Sequence, residues 1–147
     1  MVLPLLVGTG VLLASVLSYG MATALLAQVV VRLIHRGYAG PGFWKNVVIM
    51  AVVTLSTAAF HLAQIGVWAA VLLACEESPT FERAFYVSGE NYTALGYGDI
   101  MLSDRWRLLG PFEAVNGLLL FGLSSAVMFA VLSHLIARRL RLQPEER

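Results

Sequence analysis

Three long apolar runs organise this sequence, roughly from Leu5 to Ile34, from Val47 to Ala74 and from Leu108 to Ala137. Each exceeds the ~20 residues that an α-helix needs to cross a hydrocarbon core of ~30 Å. In lipid, backbone amides must bond within their own segment, so each run predicts a membrane-spanning helix. The surplus length permits tilt or extension past the bilayer. A glycine-rich turn from His35 to Lys45 separates the first two runs. The polar stretch between the second and third contains a shorter pattern. Ser78-Pro79-Thr80-Phe81-Glu82-Arg83 reads as a helix start, with a capping Ser or Thr, proline in the first turn and then an acidic residue. Phe81, Ala84, Phe85, Ser88 and Tyr92 continue at helical spacing and end where glycines begin. A helix of about twelve residues is too short to span the bilayer. It fits a re-entrant element shielded from lipid by protein.

Composition agrees with a membrane solvent. Apolar residues make up 59% of the 147 and charged residues 13%, against about 25% charged in globular proteins. So few charges cannot coat a water-facing surface. A net charge of +1 with no basic stretch beyond the short tail gives no footprint for nucleic acid. The single cysteine, Cys75, builds neither an internal disulfide framework nor a cysteine-based zinc site; it reads as a small apolar residue at a helix end or as one half of an inter-subunit disulfide. The run from Val2 to Val31 lacks a basic leader and is about twice the length of a secretory apolar region, so it is expected to stay as a membrane helix.

Basic residues set the expected orientation. Arg32, Arg36 and Lys45 flank the first turn, and Arg138, Arg139 and Arg141 come after the third run. The loop between the second and third runs holds Glu76, Glu77, Glu82, Glu90, Asp99 and Asp104 against Arg83, Arg105 and Arg107. The positive-inside rule then puts the first turn and the C-terminus in the cytoplasm, and the N-terminus and the acidic loop outside.

The strongest motif is Thr93-Ala94-Leu95-Gly96-Tyr97-Gly98-Asp99. Backbone carbonyls in a row can replace the water shell of a dehydrated potassium ion. For successive carbonyls to face one axis the chain must alternate between left- and right-handed backbone, which glycine does at little cost. Gly96 and Gly98 stand on alternate positions, with Tyr97 between them to brace the strand. The short helix before the motif would aim its partially negative C-terminal end beneath it.

With that motif, the aromatic-bearing helix Phe81-Glu82-Arg83-Ala84-Phe85-Tyr86 and the run Gly117-Leu118-Leu119-Leu120-Phe121-Gly122 in order, the sequence from about Val47 to Leu135 resembles the potassium-channel pore domain. The resemblance implies an all-α membrane protein with an outer helix over 47–75, a pore helix over 80–93, a selectivity filter over 94–99 and an inner helix over 108–137. An extra N-terminal helix (1–36), a cytoplasmic loop (37–46) and a short basic tail (138–147) complete it. It implies ion-binding carbonyls on Ala94, Leu95, Gly96, Tyr97 and Gly98, support from Thr93, Glu90 and Asp99, and an inner-helix bend at Gly117 or Gly122. Glu90 falls where some members carry a carboxyl that shares a proton with the filter aspartate, here Asp99; two carboxyls in contact cannot both ionise cheaply. The family usually has threonine where this chain has Ala94. Its hydroxyl helps to form the innermost ion site, so three sites should be fully caged and a fourth completed by water. Selectivity for potassium could survive this change or relax.

Other polar residues have more than one reading. His61 sits near the centre of the second run, with Thr57 and Gln64 on the same face. An ionisable group at that depth is a candidate switch; a neutral histidine bonded to a neighbouring helix is the plainer alternative. Glu113 and Asn116 are expected to hydrogen-bond to the short helix. Leu118, Phe121, Ser125, Phe129 and Ser133 form a stripe in the third run that either lines a cavity, with Phe129 as its constriction, or packs as in any helix.

The expectation is therefore a homotetramer in the lipid bilayer, placed in a bacterial inner membrane, that conducts potassium passively. The permeant potassium ion sits in the filter, and no cofactor, transition metal, nucleic acid or small-molecule substrate is expected. The residues assemble no enzymatic constellation. A weakly selective monovalent cation channel and a non-conducting sensor on the same scaffold are the alternatives.

Overall fold

A computed structural model describes residues 2–38 and 43–141 as helices joined by short turns. Helix α1 spans Val2–Leu33 and ends in a wider π turn at Ile34–Tyr38; α2 spans Phe43–Ala74, α3 Phe81–Tyr92 and α4 Leu109–Arg141. Among the described residues three helices, Val2–Arg36, Phe43–Ala74 and Leu109–Arg138, are long and apolar enough to cross a membrane. Their ends differ from the expected ones. Phe43 to Asn46 extend α2 by a turn, and α4 runs through Arg138 into residues expected to form the tail. Loss of apolar character marks where the bilayer ends, whereas a helix continues as long as its residues favour it, as arginine and leucine do. The tail beyond 141 and the turn at 39–42 lie outside the described residues.

Each long helix buries a narrow stripe. In α2 it runs through Ile49, Val53, Thr57, His61, Gln64, Trp68 and Leu72, steps of three and four that keep one face inward. In α1 it passes through Pro4, Gly8, Ser15, Tyr19 and Val30. A Cβ at Gly8 would come within 2.8 Å of the Phe112 ring, so the missing side chain lets α1 press against α4.

The short α3 divides the bundle into two halves. In one, α3 wedges between the long helices, and Trp68, Leu72, Ala84, Val87, Tyr92, Leu109 and Leu120 form the main core. In the other only the long helices meet, around Val30, Ile49, Val53 and Leu135. Leu3 and Pro4 of α1 lie beside Arg107 and Leu108, and Ile34 and His35 beside His134 and Arg138. Helices α1 and α4 are therefore parallel and α2 antiparallel to both. The basic turn after α1 and the basic end of α4 share one side, as the charge pattern required.

Two local devices shape the connection around α3. Helix α2 closes with Glu76 N–H donating to the Leu73 carbonyl (2.9 Å) and Glu77 N–H to that of Leu72 (3.0 Å), with Glu76 left-handed at φ 59°. This is the usual way of satisfying the last carbonyls of a helix, with glutamate where glycine is the commoner choice. The Glu77 carboxylate then accepts from the backbone N–H (2.7 Å) and hydroxyl (2.5 Å) of Ser103. Helix α3 begins at a Thr80 cap whose hydroxyl accepts from the Arg83 N–H at 3.3 Å. Pro79 consequently precedes the cap and lies outside the first turn, unlike the sequence reading: only one of the two candidate caps has its hydroxyl over the amide three residues on.

Polar side chains connect α1 to its neighbours. Ser15 donates to Gln64 Oε1 (2.7 Å) and accepts from Asn116 Nδ2 (3.1 Å), while Gln64 Nε2 donates to Ser18 (3.0 Å). Asn116 thus bonds to the N-terminal helix, whereas the sequence reading paired it with the short one. Ser15→Ala removes two of these bonds, and in membranes such bonds average ~0.6 kcal/mol. The substitution should cost about 1 kcal/mol and lower the thermal midpoint of the detergent-solubilised protein. Gly20→Ala, at a site with open space around it, should leave that midpoint unchanged or slightly raised.

Candidate functional site: the glycine segment after the re-entrant helix

Helix α3 stops at Tyr92, and the residues after it fold back on its end. The Thr93 N–H and hydroxyl both donate to the Gly89 carbonyl, at 3.1 and 2.7 Å. The Ala94 N–H donates to Asn91 O (2.9 Å); the Leu95 and Gly96 N–H groups both donate to Glu90 O, at 2.9 and 3.3 Å. These bonds satisfy carbonyls that a helix leaves open at its C-terminus. They engage the amide hydrogens of Thr93, Ala94, Leu95 and Gly96. Among the described residues, no backbone N–H donates to the carbonyls of Ala94 through Gly98.

The backbone is left-handed at every second residue, with φ of 56° at Ala94, 55° at Gly96 and 72° at Gly98. The two glycines were expected there; Ala94 was not. A residue with a Cβ adopts this conformation at a cost of roughly 1–2 kcal/mol, so Ala94 is held there by its neighbours' hydrogen bonds. Every residue from Thr93 to Asp99 is exposed in the single chain, with Leu95 at 55% and Tyr97 at 69%. The segment thus combines carbonyls without protein donors and uncovered apolar side chains. Oxygens in this state can serve as ligands for a cation.

Residues 60–134, just over half of the chain, match the sequence profile of a family described as Ion channel. The chain belongs to the ion channel family. No curated protein and no solved structure matches it. The matched region of this channel runs from Phe60 in α2, through α3 and the glycine segment, to His134 in α4; α1 lies outside it.

Tyr92, the last residue of α3, is fully buried and held from three directions. Its hydroxyl lies 2.9 Å from His61 Nδ1 of α2, and its ring packs edge-on against Phe121 of α4 with centroids 5.6 Å apart. Its carbonyl presses on Gly117, where an added Cβ would overlap the oxygen. His61 completes the arrangement, with Nε2 2.9 Å from the Ser124 hydroxyl and its ring 4.3 Å from that of Phe121. Hydroxyls can donate or accept, so both ring nitrogens are satisfied in the neutral form. His61 therefore bonds to α3 and α4, and its partner Tyr92 stands two residues before Ala94.

Behind the segment, the Tyr86 hydroxyl donates to Asp99 Oδ2 at 3.2 Å. The Glu90 carboxylate first, then lost hydration and Asp99, push the Tyr86 phenol up to about 12. Glu90 is buried, with Oε1 unpartnered. Among the described residues no hydrogen bond joins Glu90 to Asp99, and Tyr86 is the group that reaches the aspartate. Glu113 of α4 is fully buried and accepts from Ser88 and from Asn91 Nδ2 (3.3 Å), and Ser88 also reaches the Ile65 carbonyl (2.9 Å). The short helix is tied in this way to both spans that flank it. The sequence reading found Glu113 but missed Tyr86, Ser88 and Ser124, whose hydroxyls give no signal until a carboxylate or imidazole is known to face them.

The proposed stripe on α4 needs one correction. Leu118, Ser125, Phe129 and Ser133 are exposed in the single chain, but Phe121 is half-buried and stacks on His61. The exposed row passes through Gly122 instead. Steps of three and four residues fit either residue; the ring of His61 decides. Helix α4 is continuous through Gly117 and Gly122. At Gly117 the visible demand is the close approach of Tyr92, while Gly122 has open space around it. Gly117→Ala should therefore cost about 1–3 kcal/mol through overpacking, read as a lower thermal midpoint and loss of the assembled species on size exclusion. Gly122→Ala should leave both measurements close to wild type.

Proposed function

We propose that four copies of this chain surround a fourfold axis and conduct potassium passively through the carbonyls of Ala94, Leu95, Gly96, Tyr97 and Gly98. The observation that carries this reading is the left-handed turn at every second residue, next to carbonyls without donors. Such alternation is what allows successive carbonyls to face one side, and a ring of them can replace an ion's hydration shell. Each chain supplies one such segment, and closing a ring from single segments calls for a cyclic assembly. The exposed Leu95 and Tyr97 would be covered by neighbouring copies. The C-terminal end of α3 adds a partially negative charge beneath the row. In this reading α2 to α4 form the pore domain, α1 is peripheral, and the basic ends face the cytoplasm of a bacterial inner membrane. Gly117 and Gly122 remain the positions at which α4 would bend during opening.

One observation favours a weakly selective monovalent channel as the second reading. Ala94 offers a carbonyl but no hydroxyl at the inner end of the row, which leaves one site half built. Reversal potentials with potassium on one side and sodium on the other separate the two readings. A clear potassium preference supports the first, and equal permeability the second.

Two substitutions test the mechanism in liposome flux. Gly96→Ala places a Cβ at φ 55° and should reduce barium-sensitive potassium flux to background while the protein still assembles; wild-type flux from this variant would refute a filter at these residues. Phe129, exposed at 72% on α4, is the bulkiest member of the exposed row toward the basic end. Phe129→Ala should raise basal flux severalfold if a ring of four closes the pore by dewetting, and unchanged flux would remove it as the gate.

A further inference from the structure

The half of the bundle without α3 leaves grooves between its helices. The groove between α1 and α4 has a volume of about 260 Å3 and is lined almost entirely by apolar side chains, with the small residues Ala27 and Ala130 facing it from opposite sides. Along α1 it extends from Thr23 to Ile34. At 1.5 Å per residue that is ~16 Å, about half of the ~30 Å hydrocarbon thickness. The groove is therefore one leaflet deep.

Its end is of different character. Ile34 and His134 also line a second space, of about 430 Å3, together with His35, Ala137 and Arg138. Among the described residues, His35, His134 and Arg138 make no hydrogen bond or ion pair. An apolar slot as long as one leaflet thus opens onto three unpartnered nitrogen-bearing side chains at the level where headgroups lie. The larger groove between α2 and α4, about 650 Å3, has no histidine, lysine or arginine in its lining.

We propose that the α1–α4 groove is a binding site for one anionic phospholipid, with an acyl chain between the helices and its phosphate on His35, His134 and Arg138. Basic pockets between membrane helices recognise anionic headgroups through charge and hydrogen bonding. The positive charge of Arg138 disfavours a second copy as the occupant. No aspartate or glutamate occurs in residues 1–75 or 114–141, so neighbouring copies would oppose like charges there; the nearest carboxylates in sequence, Glu145 and Glu146, lie outside the described residues. Because α1 is outside the matched channel region, a lipid wedged here would connect the extra helix to the half of α4 that carries Phe129. The proposal needs only a membrane-embedded chain and stands apart from ion selectivity.

The test is native mass spectrometry of the full-length protein after exchange into mixed micelles containing phosphatidylglycerol or phosphatidylcholine. Wild type should retain one phosphatidylglycerol per subunit, at least tenfold more than phosphatidylcholine. The triple variant His35→Gln, His134→Gln, Arg138→Gln should fall to the phosphatidylcholine level. Ala27→Leu with Ala130→Leu, which fills the slot and leaves the charges, should lose retention at least tenfold. Equal retention of the two lipids by wild type would overturn the proposal, and so would undiminished phosphatidylglycerol on the slot-filled protein. Retention that stays at zero because a neighbouring copy occupies the groove would overturn it equally. Conduction is not part of this readout, so its outcome is independent of the flux experiments.

Discussion

A helix that ends inside a membrane must find donors for its last carbonyls without help from bulk water. Here the donors are the amides of Thr93, Ala94, Leu95 and Gly96, which turn back onto Gly89, Glu90 and Asn91. The shape of the whole segment depends on those bonds. The chain enters the left-handed region at Ala94 as it makes this return, and Gly96 and Gly98 repeat that conformation beyond it. The carbonyls of Ala94 through Gly98 accept from no backbone N–H among the described residues, which leaves them open to an ion, water or other copies.

The placement of α3 depends on contacts that owe little to hydrophobicity. Between helices in lipid, apolar side chains gain no advantage over lipid tails, so packing of small residues and polar contacts decide the arrangement. Gly117 admits the Tyr92 carbonyl and Gly8 admits the Phe112 ring. Glu113, Ser88 and Asn91 join α3 to α4, and His61 joins Tyr92 to α2 and α4. Ser15, Ser18, Gln64 and Asn116 incorporate α1. Every long helix therefore contributes polar side chains that would lack partners in lipid if its neighbours were removed.

Much of this architecture is legible in the residues alone, and for identifiable reasons. Long apolar runs leave one structural option in lipid, so the three spans and the short helix could be read directly, with errors where helices outlast the hydrocarbon and at the start of α3, where Thr80 is the cap and Pro79 precedes it. Gly96 and Gly98 announce left-handed backbone because few other residues enter it cheaply, whereas Ala94 carries no such mark. Gly117 was legible as a special position but not as a contact, since a glycine needed for bending and one needed for close approach look alike. Phe121 was misplaced because helical spacing defines a face only to within a residue, and its neighbour Gly122 satisfies the same steps. The role of α1 could not be read at all: Ser15 and Ser18 in an apolar helix acquire meaning only opposite Gln64 and Asn116.

The Glu77 carboxylate holds Ser103 across a sequence separation of 26 residues. Its bonds close a covalent-plus-hydrogen-bonded ring that encloses all of α3 and the glycine segment. A closed ring has fewer conformations open to it than a free loop. In the proposed assembly around an axis, this segment would arrive already folded by its own chain, and association would not have to supply the entropy of shaping it.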